Sequence, residues 1–166
     1  MPLLLACVIG CAHGTVQVAP PIPDELPSGR IGDVKVSLAP TLPESRRAAF
    51  LEHDGEALVR QAIVEAFTQR AHWDPSSPEV LHVTVTVFRL RSTANAFVNG
   101  YFAGIDMLEG EAEVTNGDAP PTHYTFKLSG AEDQYFKWSS SARFRSLARC
   151  LGTSLANYII PVPAGT

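Results

Sequence analysis

Val80-Leu-His-Val-Thr-Val-Thr-Val-Phe-Arg-Leu90 alternates apolar and polar side chains at a period of two, the spacing of a β-strand with one face turned to a core. Leu81, Val83, Val85 and Val87 fall on one side, and His82, Thr84, Thr86 and Phe88 on the other. A strand this long and this rich in β-branched residues belongs in the middle of a sheet. Downstream, Ile105 to Val114 puts Leu108, Gly110, Ala112 and Val114 on one face and Met107, Glu109, Glu111 and Glu113 on the other. Asn116-Gly117 marks a turn before Thr122 to Ser129, whose Tyr124, Phe126 and Leu128 share a face. These two segments are expected to form an antiparallel hairpin.

Upstream the period changes. Within 44–73, Leu58, Val59, Ala62, Ile63, Ala66 and Phe67 recur at helical spacing, with Asp54 as the expected N-cap and Asp74-Pro75 as the stop. Before that helix, Ile31 to Leu38 alternates again, with Val34, Val36 and Leu38 inward. At the other end Ser139-Ser-Ser141 caps a last helix with an apolar stripe of Phe144, Leu147, Ala148, Leu151, Leu155 and Tyr158. Arg143, Arg145 and Arg149 are expected off that stripe. The expected fold is α+β in the order β-α-β-β-β-α: a small mixed, largely antiparallel sheet of about four strands with two helices on one face.

The 166 residues, 45% hydrophobic and 18% charged, suffice for one domain with a sizeable core, placed at 31–160 with a short tail at 161–166. A formal net charge of −4 argues against a nucleic-acid partner, which would need clustered Lys and Arg. Cys7, Cys11 and Cys150 lack Cys-x-x-Cys spacing, and Gly-x-Ser-x-Gly, phosphate-loop and His-Glu-x-x-His patterns do not occur. Neither a metal nor a cofactor is expected.

The first ten residues, Met1-Pro-Leu-Leu-Leu-Ala-Cys-Val-Ile-Gly10, form an apolar run too short to span a bilayer but long enough for a secretory signal. Val8-Ile9-Gly10-Cys11 resembles the lipobox of bacterial lipoproteins. That resemblance implies acylation of Cys11, cleavage before it and anchoring in the bacterial cell envelope. Ala12, in place of the aspartate that retains such proteins in the inner membrane of enteric bacteria, implies the outer membrane with the domain facing the periplasm. Several acyl chains at about 0.8 kcal/mol per buried methylene would make the anchor effectively permanent. Between Cys11 and Arg30, Pro20-Pro21-Ile22-Pro23 and Leu26-Pro27 are expected to form an extended tether.

Asn99-Gly-Tyr-Phe-Ala-Gly104, lying between the second and third strands of this order of elements, gives a second resemblance. The chain is similar, over roughly 30–158, to small uncharacterised bacterial lipoproteins related to the amino-terminal domain of TolB and to curli-secretion and penicillin-binding-protein-activator lipoproteins. That likeness implies a non-catalytic assembly or regulatory partner in the envelope. Phe97, Tyr101 and Phe102, flanked by Arg89 and Arg91, combine aromatic and guanidinium groups of the kind enriched at protein interfaces. They are the expected contacts to an envelope partner or a second copy. Tyr135, Phe136 and Trp138 carry a weaker version of that signal.

Two rival classes have their own residues. Glu109, Glu111 and Glu113 place carboxylates about 7 Å apart along one strand face, a separation compatible with acid and base work on cell-wall glycan. The commoner use of such a row is a solvated face, here opposite Lys127. Cys150 paired with His53, His72, His82 or His123 would be a thiol site, but its place beside an apolar helix stripe fits a buried thiol better. A small-ligand carrier would need an apolar cavity beneath the helices.

Overall fold

In the computed structural model the described residues are 14–18, 29–91, 105–117, 120–129 and 139–159, with the backbone alone described for 14–18. The strands are β1 (Gly14–Val18), β2 (Asp33–Leu38), β3 (Val80–Arg89), β4 (Met107–Thr115) and β5 (Thr122–Ser129). The helices are α1 (Glu44–Glu52), α2 (Gly55–Gln69) and α3 (Ser140–Ile159). The fold is α+β, a five-stranded mixed sheet in the order β1-β5-β4-β3-β2. β2 and β3 run parallel through the α1–α2 crossover, and all other neighbours are antiparallel.

The helices lie on one face of the sheet, with α2 over β2, α3 over β5 and β1, and the two packed side by side. α2 and α3 touch closely at Gly152, where a Cβ would stand 2.4 Å from the Ala62 carbonyl oxygen. Only a residue without a side chain admits that approach. The core beneath contains Val34, Leu81, Val83, Leu108 and Phe126, so the alternation that defines the inward strand faces is met at those positions, and Leu147 of α3 packs among them.

Four differences from the sequence reading have physical causes. The helical stretch within 44–73 is two helices, broken at His53-Asp54, where Asp54 takes φ 51° and its carboxylate makes no capping hydrogen bond. The Phe50 ring fills the space over Gly55, where a Cβ would lie 2.4 Å from it. Next, the alternation of β3 slips after Val85: a bulge leaves Thr86 outside the paired register, Val87 becomes 37% exposed, and Phe88 turns into the core. Phe88 then packs edge-to-face against Phe50 and tilted against Phe144 at centroid separations of 5.1 and 4.9 Å. Such aromatic pairs contribute about 0.5–1.5 kcal/mol each beyond their buried area.

The third difference concerns α3. Arg143, expected off its stripe, is completely buried, whereas Tyr158 is 52% exposed. α3 packs on both α2 and the sheet, so its buried face is wider than a single stripe. Finally, the segment expected to be a tether contributes β1, whose Thr15-Val16-Gln17-Val18 pairs with Lys127, Phe126, Thr125 and Tyr124. The strand adds a fifth member to the sheet, and its edge position needs hydrogen bonds on one side only.

Candidate functional site

The sheet face away from the helices is a polar surface laid out in cross-strand rows. One row runs Lys35, His82, Glu113, His123, and the next Ser37, Thr84, Glu111, Thr125. In a third, Glu109 stands opposite Lys127, which in turn faces Thr15. Period-two alternation sends the side chains of these residues of β2 to β5 to the face opposite the core. Cross-strand contacts tie the rows together: Lys127 Nζ lies 2.8 Å from Glu109 Oε1, His123 Nδ1 3.6 Å from Glu113 Oε2, and the Ser37 and Thr84 hydroxyls 3.3 Å apart.

An open depression of about 310 Å³ interrupts this surface, lined by Thr86, Glu109, Glu111, Thr125 and Lys127, with Gly110 and Phe126 beneath. Gly110 is required there. A Cβ would sit 2.1 Å from the Thr84 carbonyl oxygen and 2.7 Å from the Phe126 ring. The bulge at Thr86 lies at the same place, so one irregularity of pairing and one absent side chain meet at the depression. Its chemistry is that of a hydrogen-bonding surface in which Lys127 engages Glu109, while Glu111 stands between Thr84 and Thr125.

At one end of the sheet, where β3 leaves and β4 enters, a second constellation is buried. Asp106 Oδ2 accepts a hydrogen bond from Arg143 Nε at 2.8 Å, and Oδ1 accepts one from the Arg91 backbone N–H at 2.8 Å. Arg91 Nε lies 3.5 Å from the same Oδ1, and a terminal nitrogen of Arg143 donates to the Arg91 carbonyl oxygen. One carboxylate therefore ties Arg91, just after β3, to Asp106, just before β4, and holds α3 to both through Arg143. Neither Asp106 nor Arg143 has any exposed surface.

The sequence-derived candidates fall in different places. Arg89 is exposed at the end of β3, whereas Arg91 is turned inward and only 7% exposed. Phe97, Tyr101, Phe102, Tyr135, Phe136, Trp138 and Cys11 lie outside the described residues. Cys150 is buried on α3. His82 and His123 lie on the opposite face of the sheet from it, His72 Nδ1 contacts the Gly29 carbonyl oxygen at 2.7 Å, and His53 Nδ1 lies 3.3 Å from the Ser141 hydroxyl. Among the described residues no group of three or more His, Cys, Asp or Glu side chains is placed to hold a metal ion. No helix among them is long and apolar enough to cross a membrane. The sequence reading missed Asp106 and the inward role of both arginines. The available signal was a lone Asp entering a strand and an Arg close to a core Phe.

Fold and site together define an α+β domain with a helix-covered face and an open polar one. No family model matches the chain, and no curated protein matches it. Among solved structures it is similar to a point variant of the PelC dodecamer from Paraburkholderia phytofirmans at a TM-score of 0.46 and 14% identity, covering 87% of this chain and 98% of that one. It is also similar to the PelC dodecamer of the same organism in another crystal form, at 0.46 and 13% over the same shares. A crystal structure of an uncharacterised protein gives 0.48 and 16% identity, covering 79% of this chain and 90% of that chain.

Proposed function

We propose that the chain is a lipid-anchored protein of the bacterial cell envelope, held through Cys11 at the outer membrane and facing the periplasm. Its α+β domain serves as a non-catalytic structural or regulatory partner in an envelope complex. The observation that carries the partner role is the open sheet face. Its rows of Thr, Glu, His and Lys offer hydrogen-bonding groups over a broad shallow area, with Glu109 and Lys127 paired across strands and Glu111 standing between Thr84 and Thr125. Such a face matches the polar rim of an interface rather than its apolar core, so it would meet a partner through hydrogen bonds. The lipobox resemblance of Val8-Ile9-Gly10-Cys11 supports the anchor.

The test is site-directed photo-crosslinking in cells from Thr84 and Thr125, at the centre of that face. A discrete crosslinked species of fixed size from both positions, missing from an exposed control position such as Glu56 on α2, is the expected result. Absence of any crosslink from the face, in cells where the protein is functional, would remove the partner role. The rival envelope enzyme rests on the carboxylates lining the depression. Glu109→Gln and Glu111→Gln should leave function in cells unchanged, and loss of function with the fold intact would favour the enzyme.

A further inference from the structure

Among the described residues β2 is one edge of the sheet, and its bonds to β3 fix which of its backbone groups point outward. The Asp33 N–H donates to the Glu79 carbonyl oxygen at 3.4 Å and the Ala39 N–H to that of Val85 at 2.9 Å. Alternate residues of a strand bond the same parallel neighbour, so Asp33, Lys35 and Ser37 face β3, whereas Val34, Val36 and Leu38 turn their N–H and C=O to the open edge. Val34 agrees: its N–H donates to Asp33 Oδ1 at 2.8 Å, and its carbonyl oxygen accepts from Arg60 Nε at 3.1 Å. Arg60 Nη2 also reaches Asp33 Oδ1, at 3.2 Å, which closes a charged clasp over this end of the edge. At the other end Pro40 has no N–H to offer. Charged groups and prolines blunt sheet edges against stray pairing. Here they stand on either side of Val36 and Leu38, whose outward groups find no partner among the described residues.

We propose that this short window pairs with the same window of a second copy of the chain, antiparallel about a two-fold axis at Ser37. In that register Val36 lies opposite Leu38 of the second copy and Leu38 opposite its Val36, and the four outward N–H groups meet the four outward carbonyls. Val34 falls opposite Pro40 of the second copy. The carbonyl already held by Arg60 thus meets a residue with no donor, so the clasp need not open. The side chains fit the same register. Toward the helices, Val36 and Leu38 are half-buried against the core and would cover their counterparts. On the polar face exposed Ser37 meets Ser37, while the two Lys35 side chains start about 13 Å apart along the strands, too far for a close like-charge contact. An extended segment of another protein could take the same four bonds. The match of a held carbonyl to a proline, however, belongs to this sequence pairing with itself. Two five-stranded sheets would become one, and their polar faces a single surface. The proposal depends on neither the lipid anchor nor the envelope role.

The test uses the full chain carrying Cys7→Ala and Cys11→Ala, in which the remaining Cys150 is only 4% exposed. Sedimentation velocity from about 1 μM to 1 mM, the range of modest association, should show a reversible monomer–dimer equilibrium. Ser37→Lys sets like charges opposite each other at the axis and should weaken the dimer several-fold while far-UV circular dichroism stays unchanged. Under mild oxidation Ser37→Cys should link to itself, because a non-hydrogen-bonded antiparallel pair sets Cα atoms about 4.5 Å apart, within disulfide reach. Lys35→Cys, also at an exposed position, should not. A chain monomeric throughout would overturn the second copy as occupant, and crosslinking in cells from position 37 to a different protein would then name another strand donor. A dimer that Ser37→Lys leaves intact, or equal self-linking at 35 and 37, would put the interface elsewhere and overturn the register. Acylation is read separately from the mass of the natural chain, so failure of the anchor and failure of the dimer are distinguishable.

Discussion

Replacing Asp106 by Asn tests whether the buried charge cluster holds the domain together. The substitution preserves shape and removes charge. The amide oxygen can accept from the Arg91 N–H or from Arg143 Nε, both now at 2.8 Å, but its nitrogen then faces the other donor. One charge-assisted bond is lost outright, worth about 1.5–3 kcal/mol, and two guanidiniums lose the carboxylate they share. Removing one partner of a buried pair costs about 3–5 kcal/mol. For a domain of this size each kcal/mol lowers Tm by roughly 2–4 °C, so Asp106→Asn should lower it by about 6–20 °C. Urea unfolding followed by far-UV circular dichroism gives the free energy. A cycle with Arg143→Gln should show coupling of about 1.5 kcal/mol or more between the two sites. A loss below about 1 kcal/mol for Asp106→Asn, or additive single effects, would refute the role given to the cluster.

Gly152→Ala should cost about 1–3 kcal/mol in the same assay, because its methyl meets backbone at Ala62 and can be admitted only by moving α3 from α2. Lys127→Gln should cost less than about 1 kcal/mol, since its pair with Glu109 is at the surface; a larger loss would mean the face is a structural element in its own right. Burial raises Tyr124 above its ordinary value of 10, so the stability it contributes is complete below pH 10 and falls as the pH rises beyond that. Tyr124→Phe should flatten the alkaline limb of the stability profile. Asp74 is held below 3.8 first by the Ser76 hydroxyl, then by the Ser76 N–H and Arg30, so its contribution is present above pH 3.8 and is lost as pH falls further. Asp74→Asn should flatten the acid limb below about pH 4, read as the Tm difference from the parent at pH 6 and pH 3.

Period-two alternation made β2, β4 and β5 readable, because one face of each packs and the other does not. It failed at Thr86, since a bulge leaves no mark in a run of Val and Thr. The exchange of Val87 for Phe88 in the core depends on what waits there, the rings of Phe50 and Phe144 from distant segments. Thr15-Val-Gln-Val18 carries its own alternation, but the prolines that follow outweighed four residues whose strand character comes from pairing with β5. Arg143 was misplaced because a helical wheel ranks an arginine as polar and cannot see a buried Asp106 thirty-seven residues away in sequence. The pairing of β4 with β5 was legible from their alternation, but their register was not: Glu109 stands opposite Lys127, whereas a two-residue turn at Asn116-Gly117 would have set it opposite Tyr124. The open face itself was legible only as the absence of a second apolar side.

The most direct test of the anchoring on which the envelope role depends is the intact mass of the natural chain expressed in a bacterial host, set beside Cys11→Ala. A mature species beginning at Cys11, heavier by its acyl chains and absent from the variant, is the expected result. An unmodified chain retaining Met1 in both would contradict the anchor and, with it, the envelope role proposed for the domain.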